Sequence, residues 1–161
     1  MQVQMCRSTQ RVTVCLVAVA AVALWLSGVE PCDVGIYAGS PWWHRFTYQF
    51  AHKNAVHLCM NCYCLYIGMR RFNISLPTLL LCYLVSATSP VLSAVPTIGI
   101  SGVVYALFGF INNLVARKWY FAMWMAVYIG VMALFGTNAV VHIYCYVVGL
   151  LIGYGRKRFG H

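Results

Sequence analysis

The chain has very few acidic residues: Glu30 and Asp33 are the only two, against 11 lysines and arginines. Only 8% of the residues are charged, whereas 62% are hydrophobic and the mean hydropathy is +0.77. A soluble domain of this length does not need so much apolar surface. The composition therefore predicts a membrane protein with one domain over residues 1–161 and no separate soluble domain.

Several kinds of site lack the residues they need. No pair of aspartates lies in an apolar segment, and no H-E-x-x-H motif is present, which argues against the aspartyl and zinc types of intramembrane protease. Six of the eight cysteines lie in apolar segments, where cysteine behaves as a small hydrophobic residue: Cys15, Cys59, Cys62, Cys64, Cys82 and Cys145. Closely spaced zinc-binding cysteines normally have a second ligand pair. We therefore predict no metal and no cofactor.

Charged residues divide the chain into long uncharged runs. Phe72–Ala116 and Trp119–Gly155 are each about twice the ~20 residues of one membrane crossing, so each predicts two spans. Val12–Val29 and Asn54–Met69 predict one each, and we interpret the first as a span, not as a cleaved signal peptide. The sequence therefore predicts an all-α polytopic bundle of six transmembrane helices, approximately at 12–28, 55–69, 74–91, 101–116, 119–135 and 138–154.

The positions of the basic residues indicate an orientation. Nine of the 11 fall at alternate ends of the predicted spans, so they share one side of a six-span arrangement and leave Arg45 and Lys53 on the other. By the positive-inside rule, both termini of this multi-pass cell-membrane protein are expected in the cytoplasm. A basic arm that binds nucleic acid would be contiguous, so we predict the lipid bilayer as a partner and no nucleic acid.

A few polar side chains lie inside the predicted spans, where each is costly and therefore a candidate for function. At about 1.5 Å of rise per residue from the cytoplasmic basic residues, Ser101 lies about 24 Å, His142 about 21 Å and His57 about 20 Å above that boundary. Asn61 lies one helical turn below His57 on the same face. Four polar groups from three helices are thus expected at matching depths.

Serine and histidine together allow nucleophilic catalysis. Ser101 needs a base to attack at neutral pH, and His142 is the best placed one. Both acids lie in a long outer loop, approximately residues 29–51, whose aromatic residues suit an interfacial layer: Trp42, Trp43, Phe46 and Tyr48. Because these acids are distant from the spans, we predict a dyad and not a triad. Backbone amides at the start of a helix at Ser101, with His57 and Asn61, are candidate donors to an oxyanion. Tyr105, one turn below Ser101, is expected to pack against the His142 ring.

Close approach of the two helices requires small residues at their contact. The fourth span offers Gly102, Ala106 and Gly109, and the sixth offers Cys145, Gly149 and Gly153, which is the small-xxx-small pattern of contacting membrane helices. Each polar residue taken singly also has a structural explanation: Ser101 as a helix cap, His142, His57 or Asn61 as a partner at a helix interface, and Tyr105 as core. Their coincidence at one depth favours a site.

These residues resemble those of the rhomboid intramembrane serine proteases, in the compact six-span form. The G-x-S-G motif is Gly99–Gly102, and the H-x4-H-x3-N pattern is met by His52, His57 and Asn61. A tryptophan closely followed by arginine occurs at Trp43 and Arg45, with one residue between them. The last span departs from the family by having Cys145 where glycine is usual, three residues after His142.

The resemblance implies roles for these residues. Ser101 would be the nucleophile and His142 the general base, while His57, Asn61 and the Ser101 amide would form the oxyanion hole, with His52 and Gly99 supporting the site. The implied activity is a serine endopeptidase that cleaves single-span or multi-span membrane proteins near the outer end of a transmembrane helix, from a site open to the extracytoplasmic side. The alternatives are a non-catalytic rhomboid-like protein that binds membrane helices and a small transporter that uses His52, His57 and the cysteines.

Overall fold

The computed structural model describes the backbone of residues 7–159 and the side chains of residues 8–156. This part of the chain is all-helical, as predicted, and contains eight helices. They are α1 (Arg7–Leu26), α2 (Pro31–Val34), α3 (His44–Thr47), α4 (Ala55–Arg71), α5 (Leu76–Ala87), α6 (Ser101–Asn112), α7 (Lys118–Leu134) and α8 (Ala139–Phe159). The six longer helices follow the order of the six predicted spans.

Helix length and hydropathy identify two clear membrane-spanning candidates in the described part of the chain, Ser8–Leu26 and Ala139–Arg156. Three other apolar helices, α5, α6 and α7, are shorter than the length that this criterion requires. Helix α7 ends within one residue of its predicted boundary, whereas α5 and α6 end several residues early. Helix α5 ends at Ala87 because Pro90 disfavours helical backbone before it. Helix α6 ends at Asn112, after which Leu114 N donates to Ile111 O in a tighter turn.

Helix α6 is the centre of the bundle. Ten of its 12 residues are buried, and it packs against α4, α5, α7 and most extensively α8. The α6–α8 contact is made by glycines, because a Cβ on Gly109 would collide with the Tyr146 carbonyl oxygen and one on Gly149 with the Ala106 carbonyl oxygen. The two backbones therefore touch, and this contact sets the distance between the side chains at the amino-terminal ends of α6 and α8.

Two expectations about packing are wrong. Gly102 does not face α8: a Cβ there would meet the Ser86 hydroxyl of α5 and lie 3.2 Å from the Tyr48 hydroxyl. Tyr48 does not belong to an exposed interfacial layer with Trp42, because it is only 1% exposed and its hydroxyl donates to the Ser86 carbonyl oxygen at 2.9 Å. A phenol is buried when its hydroxyl finds a partner, and Ser86 supplies that partner here.

Candidate active site

Ser101 lies at the first position of α6, and Gly99 turns the chain into that position. Gly99 has φ +118°, a conformation that favours glycine, and its amide donates to the Tyr48 carbonyl oxygen at 2.8 Å. The first amides of a helix have no acceptor within the helix. The turn therefore presents the Ser101 side chain together with a set of backbone N–H donors.

The Ser101 hydroxyl contacts the His142 ring. Ser101 Oγ lies 2.9 Å from His142 Nε2, within hydrogen-bond distance. Ser101 is half-buried, whereas His142 is only 5% exposed. The structure thus brings the hydroxyl of a half-buried serine into contact with a buried imidazole.

The His142 ring is held by packing on one face. The Tyr105 ring stacks on it with centroids 4.3 Å apart and planes inclined by 29°. His142 Nδ1 is buried and has no hydrogen-bond partner among the described residues. For Nε2 to accept the serine proton, Nδ1 must carry the ring hydrogen. Tyr105 therefore fixes the orientation of the ring, while no carboxylate of the described chain contacts it.

His57 lies against the Gly99 turn. A Cβ built on Gly99 would be 2.7 Å from His57 Cε1 and 3.1 Å from Nε2. Asn54 caps α4 by accepting the His57 amide at 2.8 Å, which places His57 in the first turn of that helix. The imidazole of His57 thus borders the loop that leads into Ser101.

Asn61 is buried one turn further along α4. It is 8% exposed, and its side-chain nitrogen has no hydrogen-bond partner among the described residues. An unpaired amide donor in a buried position is costly unless it serves a ligand or a transition state. No contact given by the structure joins Asn61 to Ser101, so its place in an oxyanion hole stays a prediction.

His52 connects the loop before α4 with the Ser101 loop. Its Nδ1 lies 3.1 Å from the Phe50 carbonyl oxygen, and its Nε2 accepts the Ile100 amide at 3.4 Å. Its ring centroid is 5.1 Å from that of His57. Burial lowers the pKa of His52 to about 4; the neighbouring His57 acts in the same direction and the Phe50 carbonyl opposes them. His52 is therefore neutral at pH 7 and accepts from the residue before Ser101.

No group of three or more histidine, cysteine or acidic side chains able to hold a metal ion was found within residues 8–156. The described cysteines are free, and Cys145 is fully buried in α8, one turn beyond His142.

The family model of the rhomboid domain matches residues 39–159, which is well over half of the chain. The match includes every residue of the site described above. The chain belongs to the rhomboid family. It is accordingly a membrane protein. Rhomboids are in general intramembrane serine proteases, although the family also has inactive members. A comparison with curated proteins finds no match.

Two polar contacts of this rhomboid were missed by the sequence analysis. Asn138 accepts the Val141 amide at 3.3 Å, capping α8, and donates to the Thr97 hydroxyl at 2.8 Å. It thereby ties the helix of His142 to the loop that leads into Ser101. The second contact is the Tyr48–Ser86 pair beneath Gly102. Asn138 could have been found from the sequence, because an asparagine directly before an apolar helix is a common helix cap. No sequence pattern indicated the contact of Tyr48.

Arg45, from the tryptophan–arginine pair of this rhomboid, has a structural contact. Its guanidinium donates to the Ala87 carbonyl oxygen at 3.0 Å and to the Ser89 carbonyl oxygen at 2.9 Å. One of these carbonyls belongs to the last residue of α5 and the other lies just beyond it, at a helix end where a cation interacts favourably with unpaired acceptors. Arg45 therefore fixes the outer loop to α5, while Trp43 remains 43% exposed.

We expect Gly99→Ala to lower the turnover of this rhomboid. The added methyl would push the His57 ring away from the loop, and the resemblance to rhomboid proteases implies that His57 is an oxyanion donor. Loss of such a donor costs about 100-fold or more, so its displacement should cost roughly 10- to 100-fold in kcat. Gly39→Ala is the matched control, because Gly39 has φ +88° but open space around it. Both variants carry backbone strain, but only the methyl of Gly99→Ala meets the His57 ring. Only Gly99→Ala should therefore lose activity. Equal losses of kcat would assign the effect to strain.

We expect stability to fall in mild acid partly through His52. The unfolded chain takes up a proton at this histidine below pH about 6.5, whereas the folded chain does so only below about 4. The stabilisation present above pH 6.5 is therefore lost as the pH falls towards 4. His52→Gln keeps a donor and an acceptor but does not titrate. Thermal unfolding between pH 7.5 and 4.5 should therefore shift less in the variant, and an unchanged shift would contradict this role.

Proposed function

We propose that this rhomboid is an intramembrane serine endopeptidase with Ser101 as nucleophile and His142 as general base. The observation that supports it is the 2.9 Å contact between Ser101 Oγ and His142 Nε2. This distance is short enough for direct proton transfer as the hydroxyl attacks. A member of the family that only binds helices does not require a serine hydroxyl in contact with an imidazole, so this contact favours the protease over that alternative.

The proposed reaction has two steps. His142 Nε2 takes the proton as Ser101 Oγ attacks the peptide carbonyl, and it then gives the proton to the leaving amine as the C–N bond breaks. The Ser101 amide, His57 and Asn61 are proposed to donate to the oxyanion. Water, activated by the same imidazole, then hydrolyses the acyl-enzyme. The half-buried position of Ser101 is consistent with entry of this water.

The proposed setting is a six-span bundle with α1 and α4–α8 crossing the bilayer and both termini in the cytoplasm. It rests on the distribution of basic residues. The dyad then lies towards the extracytoplasmic side, since Ser101 begins α6 at the end opposite Arg117. The proposed substrates are single-span or multi-span membrane proteins, cleaved near the outer end of a helix that unwinds locally to expose its carbonyls.

The test is cleavage of a single-span substrate by the purified protein in proteoliposomes. Mass spectrometry of the products should place the cut inside the apolar segment, near its outer end. The protein should also react with a fluorophosphonate probe. Stable binding of the substrate without cleavage or labelling would instead identify a non-catalytic member, and cleavage only in the soluble part of the substrate would overturn the proposed site.

A further inference from the structure

Two arginines meet at one tyrosine where α1 begins and α4 ends. Arg70 Nη1 donates to the Tyr66 hydroxyl at 3.3 Å, and its guanidinium carbon lies 5.9 Å from the centre of the Tyr66 ring. Arg11, from α1, interacts with the same hydroxyl. Two cations from different helices thus share one neutral acceptor. We call Arg11, Tyr66 and Arg70 the arginine cluster.

A buried contact holds this cluster together. Gln10 is only 2% exposed, and its side-chain nitrogen donates to the Met69 carbonyl oxygen at 3.2 Å. Gln10 and Met69 directly precede the two arginines in sequence, so the hydrogen bond fixes the helix ends that carry them. A buried amide is retained only where its partner is in place. The proximity of the two charges is therefore set by the packing of α1 on α4.

No acidic side chain lies in α1 or α4, the two helices that carry the arginine cluster. Glu30 and Asp33 are the only acids in the whole sequence, and both lie between α1 and α3, beyond the other end of α1. Like charges held together repel one another unless an anion lies between them. Guanidinium groups present a planar set of donors that fits phosphate oxygens in pairs. An anion from outside the protein is therefore expected to be attracted to these two exposed guanidinium groups.

The surface beside the cluster is apolar. Val12, next to Arg11, is 55% exposed, and Tyr63 and Ile67, on α4, are 63% and 38% exposed. These side chains continue along the same two helices, away from the ends that carry the arginines. An anion that binds here should thus carry apolar chains, which is the chemistry of a membrane lipid.

We propose that the arginine cluster binds the headgroup phosphate of an anionic glycerophospholipid, whose acyl chains lie on the exposed apolar side chains of α1 and α4. The lipid supplies the negative charge that the chain lacks and joins the ends of the two helices. This proposal does not depend on proteolysis, and its test measures binding alone.

The test compares lipid affinity in purified full-length variants. Phosphatidylglycerol is titrated into the detergent-solubilised protein and bound lipid is counted by native mass spectrometry. Each arginine near a membrane surface is worth about 1 kcal/mol, so Arg11→Gln/Arg70→Gln should weaken binding about 30-fold. Arg117→Gln/Lys118→Gln removes the same charge from the α6–α7 connection and should leave the affinity unchanged.

Two further experiments distinguish a lipid phosphate from free phosphate and test whether misfolding explains weaker binding. Phosphatidylcholine with the same acyl chains should bind at least about 10-fold more weakly, and inorganic phosphate should not raise the unfolding temperature. Arg11→Lys/Arg70→Lys keeps the charge but loses paired donation, which should weaken binding about fivefold. Equal affinity in the cluster and control variants, equal binding of the neutral lipid, or stabilisation by inorganic phosphate would each overturn the proposal.

Discussion

Replacement of Ser101 by alanine is expected to lower the rate of substrate cleavage at least about 1,000-fold and to abolish fluorophosphonate labelling. The hydroxyl supplies the bond-forming oxygen, so no neighbouring group can replace it. His142→Asn should have a loss of the same order, because Ser101 then has no base within 2.9 Å. The double variant should be no slower than either single variant, since groups that act as one unit have non-additive effects.

Ser27→Ala is the control for this series, because Ser27 is exposed and its hydroxyl donates to the Leu24 carbonyl oxygen at the end of α1, away from Ser101 and His142. It should cleave and label like the unchanged protein. The unfolding temperature of each variant is measured, and only variants as stable as the unchanged protein are compared. A loss of activity is then not caused by unfolding. Persistent labelling of Ser101→Ala would place the nucleophile elsewhere, and additive losses in the double variant would indicate independent roles.

Gly149→Ala is expected to have the largest effect on stability. The new methyl would meet the Ala106 carbonyl oxygen, which belongs to the backbone of α6 and cannot move aside as a flexible side chain can. Overpacking of this kind costs roughly 3 kcal/mol. If α6 and α8 separate instead, the distance between Ser101 and His142 increases and activity falls even in molecules that remain folded.

Gly155→Ala is the matched control in the same helix, because nothing lies within 4 Å of a Cβ at that position. Alanine has a higher helix propensity than glycine, so this variant should be as stable as the unchanged protein or slightly more so. Unfolding by heat or denaturant in detergent measures the difference between the two variants. If both are equally stable, the glycine contact does not set the helix separation.

The sequence predicts the α6–α8 seam well, because spacing on a helix is a local property. Gly109 lies on the side of α6 that faces α8, Gly149 and Gly153 lie on the side of α8 that faces α6, and the two backbones do meet there. Gly102 was assigned to the same face by the same count, but it contacts Ser86 of α5. Spacing indicates which residues of one helix share a face; it does not indicate which helix comes closest at each level.

The site shows the same division. The depth count from basic residues placed Ser101 and His142 at one level, and their side chains lie in contact. It could not find Tyr48, because that residue lies in the outer loop between aromatic residues and only its burial distinguishes it. Nor could it find the Asn138–Thr97 contact, which joins two loops. Loops have no fixed rise per residue, so depth cannot be counted along them.

The solitary Nδ1 of His142 has a consequence for the speed of the proposed enzyme. In triad hydrolases, the carboxylate behind the imidazole contributes about 10,000-fold to turnover. Without it, no carboxylate stabilises the imidazolium that forms during the proposed reaction. Few encounters between the enzyme and a substrate would therefore lead to cleavage. Such an enzyme is best suited to substrates that stay near it for a long time, as proteins confined to the same lipid bilayer do.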